Sequence, residues 1–100
     1  MYRFMRTVTV KLAVNIPAAL QWAGEVTAYL NKSYALDMKF GIEIFGAGKV
    51  HWYSDTDSLD KLTAINAKMM QDREYNGLLE KARGLWLEGG LKDTVVKIVG

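Results

Sequence analysis

The chain contains one histidine, His51, and it stands across a glycine-rich turn from Glu43, in the stretch GIEIFGAGKVHWYSD over residues 41–55. Gly46-Ala47-Gly48 has the composition of a three-residue hairpin loop. If that loop closes on Phe45 and Lys49, Glu43 falls opposite His51 on adjacent strands, their β-carbons about 5 Å apart. A carboxylate at that distance can orient an imidazole, and an imidazole so held can take a proton from a phenol or an activated carbon acid. Tyr53 shares the same strand face and could donate a hydrogen bond to a substrate oxygen. His51, Glu43 and Tyr53 are therefore the candidate catalytic residues. The competing reading is structural: a cross-strand polar pair lining a wet interface is a common device, and a tyrosine often just reaches solvent past its ring.

Arg6 interrupts the apolar side of the first strand. It could clamp an anionic substrate, or it could lay its stem over the core and keep its head at the edge. Trp22, Trp52 and Trp86 fall on buried stripes and read as core before they read as the walls of a cavity. Met69-Met70 reads as gap-filling. No glycine pair leads from a strand into a helix with phosphate-loop spacing, so nothing suggests a nucleotide.

Composition closes off several further classes. Without cysteine there are no disulfides, thiolate nucleophiles or Cys-ligated metals. One histidine excludes a His-rich metal site within a single chain. No cofactor and no metal are expected. The formal charge is +2, from 13 basic and 11 acidic residues scattered along the chain. Nucleic acid would call for a basic stripe instead. Arg3 and Arg6 break up the N-terminus too early for a signal peptide, and no run approaches the ~20 apolar residues of a membrane span. The expectation is a cytoplasmic protein with no nucleic-acid or membrane partner.

The elements that must position these residues follow from periodicity. At 100 residues, half of them hydrophobic, the chain suits one domain over 1–100 with one modest core. Residues 2–14 alternate, with Tyr2, Phe4, Val8, Val10 and Leu12 on one face, and predict a long strand. Asn15 as cap and Pro17 in the first turn open a helix to about residue 33, with Ala19, Trp22, Ala23, Val26 and Leu30 on its stripe. Residues 38–45 and 49–54 are the hairpin strands, pairing Ile44 with Val50, Ile42 with Trp52 and Lys39 with Asp55. Asp57 caps a further helix with Leu59, Leu62, Ile65 and Met69 on its stripe. A break at 71–73 restarts the helical pattern as Tyr75, Leu78, Leu79, Ala82 and Trp86, which runs to Gly89-Gly90. Residues 94–99 form the last strand.

The order βαββαβ predicts an α+β, ferredoxin-like fold: a four-stranded antiparallel sheet, strands 1 and 3 central, with two helical segments on one face. The other face, with Met5, Thr7, Thr9, Glu43, Phe45, His51 and Tyr53 and apolar surface from Val95 and Val99, stays uncovered. A half-polar, half-aromatic sheet face without a helix calls for a partner.

The element order, together with the segments HWYSDTDSLDKL, DREYNGLLEKA and EGGLKDTVVKIV, resembles the dimeric α+β barrel superfamily of antibiotic-biosynthesis-type monooxygenases and NIPSNAP-like proteins. The likeness covers nearly the whole chain. It implies a homodimer that packs its helix-free sheet faces into a barrel, with small molecules bound between sheet and helices or inside the barrel. Haem-degrading members carry a helical histidine as iron ligand, whereas His51 lies on a strand, so haem is not implied. The cofactor-independent oxygenases keep Trp, Tyr or Asn beside an apolar aromatic substrate; Trp22, Trp52, Trp86, Tyr29 and Tyr53 could supply such groups. The functional expectation is a cofactor-independent monooxygenase or isomerase acting on a small apolar or aromatic molecule. The alternative is a non-catalytic homodimeric module that binds such a molecule.

Overall fold

The computed structural model describes residues 1–100. The elements are β1 (Tyr2–Thr9), a 3-10 turn (Ala13–Asn15), α1 (Ile16–Tyr34), β2 (Lys39–Ile42), β3 (Lys49–Thr56), α2 (Leu59–Met70), α3 (Arg73–Lys81) and β4 (Lys92–Lys97). They form an antiparallel sheet in the order β2-β3-β1-β4, so strands 1 and 3 are central. This is the ferredoxin-like α+β arrangement that the periodicity predicts.

Strand alternation decides what each sheet face meets. Val8, Val10, Val50 and Trp52 point toward α1 and pack on Ala19, Ala23, Val26 and Leu30. Ala19 and Ala23 are small enough to bring the helix down onto the sheet, and Trp52 fills the space beyond them. Trp52 Nε1–H donates to Thr27 Oγ1 at 3.0 Å, so the indole is buried without leaving its donor unpaired. The start of β2 is pinned to α1 by Asn31, whose side chain accepts from Met38 N (2.8 Å) and donates to Met38 O (3.1 Å).

Several boundaries differ from the pattern, each for a local reason. β1 ends at Thr9 instead of running to residue 14, because the chain folds into the 3-10 turn that leads into α1. Asn15 stands at the N-cap position of α1 in helical conformation and makes no side-chain cap; Pro17 supplies the first-turn signal alone. Ser58, not Asp57, caps α2, accepting from Lys61 N at 3.3 Å. The break between α2 and α3 falls at Gln71-Asp72, where Asp72 caps α3 by accepting from Tyr75 N at 3.1 Å. α3 stops at Lys81, short of Gly89, as the chain turns through Gly84 at φ +87° and returns as an isolated bridge between Trp86 and Val10.

The hairpin register is shifted by two residues from the one a three-residue loop would set. Ile42 pairs with Val50, Phe40 with Trp52, Gly41 with His51, and Lys39 with Tyr53. The loop is longer, with Gly46 (φ +151°) and Gly48 (φ +73°) both in positive-φ conformations, and it carries Ile44 and Phe45 out of the sheet to 88% and 94% exposure. This register stacks Phe40 on Trp52, ring centroids 6.5 Å apart, which an Ile42–Trp52 pairing would forfeit. Lys39 now faces Tyr53, and Asp55 pairs instead with Arg3 across β1 and β3, at 2.7 and 3.0 Å.

Candidate functional site

Two candidate sites lie on opposite faces of the sheet. The first, on the open face, is the one that the sequence singles out. Glu43 lies past the end of β2, yet its backbone N–H still donates to Lys49 O at 3.0 Å, so the strand direction continues through it. A shift of two residues preserves parity, and the Glu43 side chain therefore still projects on the His51 side. Gly41, directly opposite His51, has no side chain to intervene. Glu43 Oε2 lies 3.2 Å from His51 Nε2, and Thr7 Oγ1 lies 2.8 Å from His51 Nδ1. An ionised carboxylate can only accept, so Nε2 carries the proton toward Glu43; in the neutral ring Nδ1 then accepts from the Thr7 hydroxyl. A β-carbon on Gly46 would come within 2.8 Å of Glu43 Oε1, so the loop backbone sits directly against the carboxylate. Tyr53 lies two residues along, its ring 5.5 Å from the Arg3 guanidinium carbon and its backbone paired with Met5.

The second site is a cavity of about 450 Å³ between the other sheet face and the helices. Sixteen of its 22 lining residues are hydrophobic. β1 contributes Phe4, Arg6 and Val8; β3 contributes Trp52 and Ser54; β4 contributes Asp93 and Val95. α1 supplies Trp22, Val26 and Leu30 from one side, α2 supplies Leu62, Ile65 and Met69 from the other, and Tyr75 and Trp86 close the wall. The three tryptophans meet edge to face, with centroids 5.6–6.2 Å apart. Trp22 Nε1–H donates to Leu78 O at 2.7 Å, and Trp86 Nε1 is buried without a hydrogen-bond partner. The tryptophans are thus core and cavity wall together.

Arg6 is held at the cavity by β4. Its Nε and Nη2 donate to the two carboxylate oxygens of Asp93 at 2.7 and 2.8 Å, a bidentate pair that raises the guanidinium pKa further above its ordinary value against the opposing effect of burial. Arg6 therefore needs no bulge: the strand pairing runs through it unbroken, opposite Trp52 on one side and Asp93 on the other. Sequence reasoning misses Asp93 because β4 begins at Lys92, two residues ahead of its β-branched run. The same pairing corrects Val95, which sits opposite Phe4 and lines the cavity; Val96, opposite Arg3, is the valine on the open face. Val99 lies beyond β4.

None of His51, Glu43 and Tyr53 lines the cavity; the sheet separates them from it. Asp93, Ser54 and Tyr75, which sequence reasoning missed as site residues, join Arg6, Thr63 and Asn66 as the polar groups that line the cavity. An arginine on an apolar strand face was the one signal available for them.

No protein-family model matches the chain, and no curated protein matches it in sequence. Solved structures do match. A NIPSNAP family protein of unknown function from Agrobacterium tumefaciens superimposes with a TM-score of 0.81 at 23% identity, over 98% of this chain and 87% of that one. A NIPSNAP domain protein from Burkholderia xenovorans gives 0.81 at 15% identity, over 99% and 95%. SnoaB, a cofactor-independent oxygenase from Streptomyces nogalater, gives 0.70 at 10% identity, over 97% and 91%. The chain carries the ferredoxin-like fold shared by NIPSNAP and antibiotic biosynthesis monooxygenase proteins.

Proposed function

We propose that the protein takes a small apolar or aromatic molecule into the cavity between sheet and helices and transforms it without a cofactor, as an oxygenase or isomerase. The cavity itself carries this reading: its volume falls within the range of small-molecule sites, and its wall is mostly apolar with a few convergent polar groups. The likeness in fold to a cofactor-independent oxygenase supports the reaction class. A second reading, binding without turnover, draws support from the Arg6–Asp93 pairing, because the cavity's one carboxylate is engaged and is a poor candidate for a base. No helix is long and apolar enough to cross a membrane. A cytoplasmic location belongs to the same proposal.

The proposal includes a homodimer formed through the open sheet faces. Met5, Tyr53 and Val96 give that face an apolar share that no third layer of this chain covers. Thr7, His51 and Glu43 would then lie inside the interface as a satisfied polar network, with no direct access to the cavity.

The experiment that separates turnover from binding is oxygen uptake by the purified protein, with a chelator and no added cofactor, on a panel of polycyclic phenols. Uptake that is lost when Ile65→Trp fills the cavity supports the oxygenase. Saturable binding of the same compounds without uptake or isomerised product supports the binding module. No binding of any of them removes the cavity from consideration.

A further inference from the structure

We infer that the cavity selects uncharged ligands, and that the Arg6–Asp93 pair sets this selectivity. The inference rests on the proposed use of the cavity and adds the charge of its occupant. Among the lining residues Arg6 and Asp93 are the only charged ones, and they come from adjacent strands in direct register. Both carboxylate oxygens and two guanidinium nitrogens are spent on each other, so the pair presents no net charge to whatever lies beside it. A carboxylate or sulfonate entering this apolar wall would lose its hydration and meet a guanidinium already neutralised. An ammonium group would meet a carboxylate already claimed. Each ion would exchange its water for a partner that is already paired, so it is compensated less well than beside a free counter-charge.

What the wall does offer is hydrogen bonding to a neutral oxygen. Ser54 and Tyr75, 9% and 8% exposed, bring two hydroxyls into the cavity, and Tyr75 approaches the Arg6 guanidinium. A phenol, ketone or quinone oxygen can meet these groups with its rings against the tryptophans, and it carries no charge to desolvate. An unpaired Arg6 would have made an anion clamp of the same cavity. Asp93 is what prevents it, which makes Asp93 a specificity-determining residue rather than a bystander.

The test is isothermal titration of the protein at pH 7 with three probes of one ring size: 2-naphthol (neutral), 2-naphthoate (anionic) and 2-naphthylmethylammonium (cationic). The wild-type protein is expected to bind 2-naphthol at least about tenfold more tightly than either ion, the difference made by one uncompensated charge. Asp93→Asn should shift the naphthoate-to-naphthol ratio about tenfold or more toward the anion, and Arg6→Gln should shift preference toward the cation. The neutral double variant R6Q/D93N should keep the wild-type order. Naphthoate or the ammonium probe binding wild type as tightly as naphthol overturns the inference and leaves the cavity as a binding site. A ratio unmoved by Asp93→Asn in a folded variant also overturns it. Failure of all three probes to bind wild type overturns the proposed use of the cavity, and the inference with it. The wild-type ratio decides the matter even where a single variant does not fold.

Discussion

At His51 each ring nitrogen has one partner, Thr7 on the neighbouring central strand and Glu43 beyond the edge strand, so the imidazole joins three segments on the open face. Because it lies across the sheet from the cavity, its removal should spare ligand binding. His51→Ala is expected to cost about 1 kcal/mol of stability, the ordinary worth of a partly exposed hydrogen-bonded group, and to leave 2-naphthol affinity unchanged within about twofold. Glu43→Gln should cost less, and the double variant should be less destabilised than the two single losses combined, because the two residues share one interaction. Denaturant melts and titrations of the four proteins check this; a loss of binding in His51→Ala would return the histidine to the candidate site. The meeting of Glu43 and His51 was legible in the sequence because it depends on strand parity, which a two-residue shift leaves untouched. The register itself was not legible: alternation cannot distinguish Ile44 against Val50 from Ile42 against Val50 when both keep the apolar faces aligned. The Phe40–Trp52 stack, a tertiary contact, makes that choice.

At the level of elements, the break between α2 and α3 is the best-supported joint. Asp72 Oδ2 accepts from the hydroxyls of both Tyr29 and Tyr34 at 2.6 Å, while Oδ1 caps α3, so one carboxylate ties the C-terminal part of α1 to the start of α3. The two hydroxyls and the backbone amides hold the Asp72 carboxyl below its ordinary pKa, and the carboxylate in turn raises Tyr29 and pushes Tyr34 up to about 12. A depressed carboxyl pKa stabilises the fold fully above the unfolded value near pH 4, and that contribution is lost as pH falls through the lower folded value. The raised tyrosine acts at the other end: its contribution is complete below about pH 10 and is lost as pH rises through about 12. Asp72→Ala should therefore lower the melting temperature by several degrees at pH 7, and the gap to wild type should close on acidification below pH 4. Thermal melts across pH 2–8 measure this, and a gap that does not narrow in acid contradicts the clamp. The break at 71–73 was visible as two apolar stripes out of phase. The early end of α3 was not, because Trp86 keeps helical spacing with Ala82 although the chain has already turned at Gly84. Lys92 and Asp93 were missed as strand residues because neither is β-branched or aromatic; pairing with β1 places them in the sheet.

At the level of the whole molecule, the one-sided helical layer leaves an uncovered sheet face and a cavity beneath the helices. The uncovered face should bring two copies together. Sedimentation at micromolar concentration is expected to give a dimer, weakened by Tyr53→Asp on that face, and a monomer would contradict the proposed assembly. The layered architecture was readable from the order of the elements. The cavity was not, because it arises where α2, whose residues are all at least partly exposed, touches the sheet at β3 and leaves open the space toward β1 and β4. The central claim is that a small molecule binds on the helical side of the sheet and not on the side of His51. Nuclear magnetic resonance of the labelled protein titrated with 2-naphthol tests it most directly, following the indole N–H signals of Trp22, Trp52 and Trp86 beside the imidazole signals of His51. The account predicts saturable shifts of the indole signals with the His51 ring unmoved; shifts confined to His51, Thr7 and Tyr53, with the indoles unchanged, would contradict it.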